Sequence, residues 1–349
     1  MLALTVAPGM AGSARVEELP EPGSSEGPVL VETLAVGVCG TDLEITSGRY
    51  GWTPPGRERL VLGHESLGRV LEAPAGSGLR PGELVVGIVR HPDPVPCPNC
   101  GAGEWDMCRN GRYTERGIKE VDGFCRERFR ADPAFLVKVA SHLGLLGVLL
   151  EPASVLAKAW EHIERIGERA VWRPKICLVT GAGPVGLLAA LMGRQRGLEV
   201  HILDRVTTGP KPALVRDLGA TYHTGSVKEL AAGADVIVEC TGVGQLLFDI
   251  LQTTPPGAIT CLTGISSGGR PIPIDLGDLN KTMVLENDVV FGSVNANRRH
   301  YEKAAAALAA ADPAWLGRII NRTIPLDHWQ DALTRRPDDV KPVIRLTDG

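Results

Sequence analysis

The stretch ICLVTGAGPVGLLAALMG (residues 176–193) decides the fold. ICLVT has the composition of a short buried strand, GAGPVG is a turn, and the residues after it read as the start of a helix. Gly181, Gly183 and Gly186 form G-x-G-x-x-G across that turn, with Pro184 and Val185 between the last two. The first glycine permits the tight turn, the second lets a pyrophosphate approach the backbone, and the third allows close packing of helix on strand. A second strand pattern, EVHILDR, carries Asp204 near its end, about 20 residues further on, where a carboxylate accepts from ribose hydroxyls. Together these residues predict a dinucleotide site. Asp204 repels a 2′-phosphate and so favours NAD, whereas the adjacent Arg205 and nearby Lys211 keep NADP in play.

Working outward, the texture after Val155 alternates. VLAKAWEHIERIG has apolar residues near helical spacing, and KICLVTGAG, EVHILDR, ADVIVECTG and GAITCLTG follow as strands separated by helical segments. This predicts a doubly wound parallel sheet. The first 150 residues differ, with short apolar runs cut by Gly and Pro (PVLVETLAVGVCG, RLVLGHESLGRVLEAP, ELVVGIVRHP) and a loop-rich stretch to about Arg130, which predicts a partly open β-barrel. Beyond about Asn295, RRHYEKAAAALAAA reads as a helix, and TIPLDHWQDAL and KPVIRL as a returning helix and strand. The expected organisation is discontinuous, with residues 1–153 and 296–349 in one domain and the dinucleotide fold, residues 154–295, inserted between.

Composition sets limits on partners. The chain has 349 residues, 44% hydrophobic and 22% charged, which is enough apolar material for two cores. Lys and Arg number 37 against 41 Asp and Glu, a formal charge of −4, so no basic surplus exists to bind nucleic acid. The uncharged run at 176–193 is long enough to raise the question of a membrane span, but its glycines and proline argue against one. MLALTVAPGMAGSARVEELP lacks a basic segment followed by a continuous apolar one, so the expectation is a cytoplasmic protein without membrane attachment. Eight cysteines in a chain of this length point to metal or chemistry rather than disulfides.

Two groups of ligand-type residues stand out. Cys39 in GVCGTDLE, His64 and Glu65 in LGHESLG, and Glu151 in LLEPAS supply a thiolate, an imidazole and carboxylates, a set suited to a catalytic Zn²⁺ with one position left for substrate. Cys97, Cys100 and Cys108, spaced C-x2-C-x7-C, suggest a structural zinc lobe. Its fourth ligand is open between Asp93, His91 and the distant Cys125.

In this order, GVCGTD, GHESLG, the cysteine lobe, Glu151-Pro152 and GAGPVG resemble the zinc-containing medium-chain dehydrogenase/reductase superfamily, with a GroES-like catalytic domain and a Rossmann domain. YTERGIKEVDGF (113–124) and VLENDVVFGSVNANRRHYEKA (284–304) are similar to its glucose 1-dehydrogenases. The resemblance implies that Cys39, His64 and a carboxylate from Glu65 or Glu151 hold the catalytic zinc. It also implies that Thr41 touches the reacting hydroxyl, Glu115 contacts the sugar and Asn295 lies near the nicotinamide. A homodimer or homotetramer joined through Rossmann-domain edges is implied as well. Three positions depart from family patterns: Glu44 stands where classical alcohol dehydrogenases have a relay histidine, Pro94 where the lobe has its first cysteine, and Val89 where some relatives have a sugar-contacting asparagine.

The expected activity is oxidation of an aldose C1 hydroxyl to a lactone, with zinc as Lewis acid and NAD or NADP as hydride acceptor. A polyol or aminocyclitol dehydrogenase giving a ketone is the alternative. A nucleotide-binding sensor without turnover is a second, and it needs neither the zinc set nor Thr41.

Overall fold

The computed structural model describes residues 1–266 and 271–347. They fall into two compact units, Met1–Ser154 with Asn295–Gly349, and Val155–Val294.

The first unit is organised by Val29–Gly37, a strand whose residues alternate between buried and half-buried before its last turn inward. It pairs antiparallel with Glu65–Glu72, Arg128–Ala131 and Pro342–Arg345 within a seven-stranded sheet. Register shifts at Leu30/Val31 and Thr33/Ala35 bend the strand and curl the sheet. Two three-stranded sheets complete the barrel-like arrangement. Its core is mainly aliphatic (Leu4, Val31, Val36, Ile45, Leu62), with Phe124 and Phe129 edge-to-face at 4.8 Å. The last part of the chain enters this sheet: Val343 sits opposite Gly37 and Arg345 opposite Ala35.

The second unit is a six-stranded parallel sheet in the order Thr221–His223, Glu199–Leu203, Ile176–Thr180, Val236–Glu239, Ile259–Leu262, Val289–Gly292. The order reverses beside Ile176–Thr180, the place where doubly wound sheets open a crevice for ligands. Two of these strands escape the sequence pattern. Thr221–His223 is short and half-exposed, and Val289–Gly292 is only partly buried, so neither shows an uninterrupted apolar run. The helix expected from Val155 begins earlier, as Leu150–Gly167. The segment Ser141–Gly167 is long and apolar enough to cross a membrane by length and composition, yet 78% of its apolar window is buried inside the protein.

The phosphate-loop glycines have distinct steric roles. Gly181 has φ 89, a backbone open chiefly to glycine. A Cβ at Gly186 would lie 1.8 Å from the Gly181 carbonyl oxygen, whereas one at Gly183 would meet nothing within 4 Å. Gly186→Ala therefore forces the turn and helix apart, and we expect a loss of about 1–3 kcal/mol in stability, measured by urea unfolding, together with loss of NADH binding in a fluorescence titration.

Candidate active site and metal centre

Cys39 lies two residues beyond the Val29–Gly37 strand and caps the helix Gly40–Thr46. His64 immediately precedes the Glu65–Glu72 strand. The antiparallel register puts Glu65 opposite Gly37, so these chain ends converge, and the ligand atoms of Cys39, His64 and Glu65 all lie within 4.8 Å of one another. Behind them Asp42 serves two of the three. One carboxylate oxygen accepts from the Cys39 backbone N–H at 2.9 Å, and the other faces His64 Nδ1 at 3.4 Å. His64 Nδ1 and Asp42 Oδ1 are buried and make no aligned hydrogen bond. An imidazole held this way on its Nδ1 side has Nε2 for a metal, the usual carboxylate–histidine–zinc arrangement. Burial opposes charge on His64, but Asp42 and then Cys39 outweigh it and raise the imidazole well above its ordinary range.

Glu65 is buried with Lys341, whose ammonium donates to both carboxylate oxygens at 2.6 Å. Burial alone would lower the lysine; Glu65, with Cys39 and Glu151, more than offsets it and holds the ammonium above its usual range. Gly37 makes the room, since a Cβ there would lie 2.1 Å from Glu65 Oε2. Glu151, at the start of Leu150–Gly167, is buried but is not one of the trio. Burial pushes its carboxyl up to about 7, with His64 opposing the rise and Glu65 adding to it. Thr41 Oγ1 lies 4.0 Å from Cys39 Sγ. The donor set and the orienting carboxylate fit a zinc ion.

Glu115 is buried rather than solvated. Its Oε1 accepts from Arg90 Nε at 3.0 Å, Arg90 Nη2 at 2.9 Å and Asn295 Nδ2 at 2.7 Å. Asn295 adopts a left-handed backbone (φ 61), and its Oδ1 accepts from the Ala296 N–H. The structure thus ties Asn295 to Glu115, a contact that sequence did not anticipate.

The lobe gathers Cys97, Cys100 and Cys108, with sulfurs within 4.8 Å of one another. Backbone N–H donors from Arg109 and Cys100 lower the Cys97 thiol to about 6, while burial raises Cys100 to about 11. Asp93 does not close the set. Its Oδ1 accepts from Val95 N at 2.8 Å and its Oδ2 from Asn110 Nδ2 at 2.9 Å, so both oxygens serve the loop. His91 stacks on Phe135, and Cys125 belongs to the hydrophobic core. Three thiols are one ligand short of the closed site that a structural zinc normally has.

In the second unit Asp204 Oδ2 accepts from Ala182 N at 2.7 Å and Lys211 Nζ at 3.1 Å, and Oδ1 accepts from Val206 N at 3.0 Å. Burial works against the charge, but these donors hold the carboxyl below its ordinary range. Arg205 is exposed. Pro184 and Val185 open the helix Pro184–Gln195, capped by Gly183 without a side-chain bond, so its first N–H groups can meet an anion.

Asp42, Lys341, Arg90 and Gly37 are the site residues that sequence reasoning missed. Asp42 sits in the quoted GVCGTD run. Lys341 carries no local signal, being 276 residues from Glu65.

Residues 144–346 match the family model described as glucose dehydrogenase C-terminus, and residues 25–141 the alcohol dehydrogenase GroES-like domain. A glucose 1-dehydrogenase of Methanocella arvoryzae is 37% identical over 357 residues, covering 99% of each chain. One from Thermoproteus tenax is 39% identical over 352 residues, again covering 99% of each. Among solved structures, glucose dehydrogenase from Haloferax mediterranei in complex with NADP, Zn and gluconolactone superposes with a TM-score of 0.91 at 30% identity, covering 100% of both chains.

The space at Gly37 can be tested. Gly37→Ala should displace the Glu65 carboxylate and lower zinc retention by about tenfold or more, read by competition with a chromogenic chelator; unchanged retention would mean that Glu65 does not need its observed position.

Proposed function

The chain belongs to the glucose 1-dehydrogenase family of zinc-containing medium-chain dehydrogenases, and on that footing we propose that it oxidises the C1 hydroxyl of an aldose such as glucose to the lactone. The hydride from C1 passes to NAD(P)⁺ and the hydroxyl proton leaves to solvent. Convergence of Cys39, His64 and Glu65 on one point carries this proposal. A zinc ion held there by these three residues, with Glu151 beside them, supplies Lewis acidity that lowers the pKa of the sugar hydroxyl.

The chain's own groups do the rest. Asp42 orients His64 and the Cys39 backbone, and Lys341 fixes Glu65. Thr41 relays the proton, taking it from the sugar hydroxyl as it gives its own hydroxyl proton to water, in place of the relay that Glu44 does not reproduce. Glu115 receives sugar hydroxyls, and because a buried acceptor left unpaired is costly, it selects polyhydroxylated substrates. The loop from Gly181 to Gly186 takes the pyrophosphate and Asp204 the adenosine ribose, and Asn295 is assigned to the nicotinamide. Lys211 already pairs with Asp204, which offsets part of the carboxylate's repulsion of a 2′-phosphate. The lobe is assigned three thiols and no established structural zinc.

We place the protein in the cytoplasm as a homodimer or homotetramer. An edge strand at Val289–Gly292 and exposed Leu276, Val284 and Leu285 on the helix Leu276–Glu286 support association through the second unit.

With glucose and NAD⁺ the expected product is the lactone, identified by mass spectrometry; a ketone from sorbitol or an inositol, with no lactone from any aldose, would make this a polyol dehydrogenase instead. Cys39→Ser should lose the catalytic zinc and lower kcat/KM by about a thousandfold or more. We also expect a higher kcat/KM with NAD⁺ than with NADP⁺; the reverse order would overturn the role given to Asp204.

A further inference from the structure

We propose that Arg90 is a positioning residue for sugar selection: it locks Glu115 so that only one carboxylate oxygen meets the substrate. The proposal rests on Glu115 contacting the sugar, and the experiment below separates the two. Arg90 and Glu115 are 6% and 5% exposed, on the paired strands Arg90–His91 and Thr114–Arg116, where their residues stand opposite one another. Two guanidinium nitrogens, Nε and Nη2, both donate to Oε1, and Asn295 Nδ2 adds a third donor to the same oxygen. Among the described residues nothing donates to Oε2, and it is not a buried, unsatisfied atom. Oε1 is therefore spent on the protein, and Oε2 is the acceptor left without a protein donor.

The guanidinium is itself fixed. Its third nitrogen, Nη1, donates to the Asp106 carbonyl at 3.0 Å, and its face lies 3.8 Å from the centre of the Tyr113 ring. A planar fork stacked on an aromatic face has little freedom to swing. A carboxylate so held cannot rotate to present either oxygen, nor follow a sugar that binds in a different orientation. Discrimination between hydroxyl patterns is then set by a rigid acceptor, and Arg90 acts on the substrate through Glu115 without touching it.

The test compares kcat/KM for glucose with that for 2-, 3-, 4- and 6-deoxyglucose at saturating cofactor in the zinc-loaded holoenzyme. Glu115→Gln should lower the ratio of glucose to one of these analogues by about tenfold or more. Arg90→Met should lower the ratio to the same analogue comparably, with zinc content unchanged, and Arg90→Met/Glu115→Gln should be no worse than Glu115→Gln alone. Tyr113→Leu, which keeps the ion pair but removes the supporting ring, should lower the same ratio by less, and it decides the matter where Arg90→Met fails to fold. Equal losses on all sugars in Arg90→Met, or in Tyr113→Leu where it must substitute, or additive losses in the double variant, would reduce Arg90 to a structural role and overturn the proposal while leaving Glu115's role intact. An unchanged ratio in Glu115→Gln would remove the sugar contact itself and Arg90's role with it.

Discussion

The site depends on how one β-ladder ends. At Gly37 three strands are in register, with Glu65 opposite on one side and Val343 on the other. Two residues past that point comes Cys39, one residue before Glu65 is His64, and two before Val343 is Lys341. A slip of one residue in either pairing would turn Glu65 or its neighbours to the opposite face of the sheet. Because Gly37 has no side chain, the Glu65 carboxylate can occupy the space above it. Backbone hydrogen bonding thus brings a cysteine sulfur, an imidazole, a carboxylate and a lysine together before any ligand arrives.

Around that point the protein buries charge in matched pairs. Glu65 has Lys341 and Glu115 has Arg90, each pair nearly inaccessible to water. Taking such ions out of water costs several kcal/mol apiece, and a buried pair is weak evidence for stability. Their geometry makes better sense as preorganisation: carboxylates already stripped of water and held by fixed donors need no rearrangement when a substrate binds. The exposed pairs elsewhere, such as Arg15–Glu17, have no comparable consequence.

How much of this was legible in sequence follows from how local each signal is. The phosphate loop was readable because its chemistry lies within GAGPVG and needs only the strand and helix that flank it. Cys39 and His64 were readable as ligand types in short motifs. The two outer strands of the parallel sheet were not, because edge strands are short and half-exposed and lose the apolar run that marks central ones. Lys341 and Arg90 were invisible for a different reason. A buried cation is identified by its partner, and those partners arrive through pairings across the fold. Asp93 shows the limit of proximity in sequence: it stands near CPNC, and its carboxylate holds Val95 and Asn110.

The proton affinities of His64 and of the neighbouring Glu151 bear on what the site is built to hold. Cys39, Asp42, Glu65 and Glu151 crowd four acidic groups against one buried ammonium, Lys341. Asp42 and then Cys39 outweigh burial and raise His64, whereas burial itself pushes Glu151 up to about 7, with Glu65 adding to the rise. The site is thus a buried one in which acidic groups outnumber the ammonium. A divalent cation brought to Cys39, His64 and Glu65 supplies positive charge and favours the deprotonated thiolate and the neutral imidazole that ligation requires. A crowding of acidic groups that would be wasteful in a structural core therefore has a use at this ladder end.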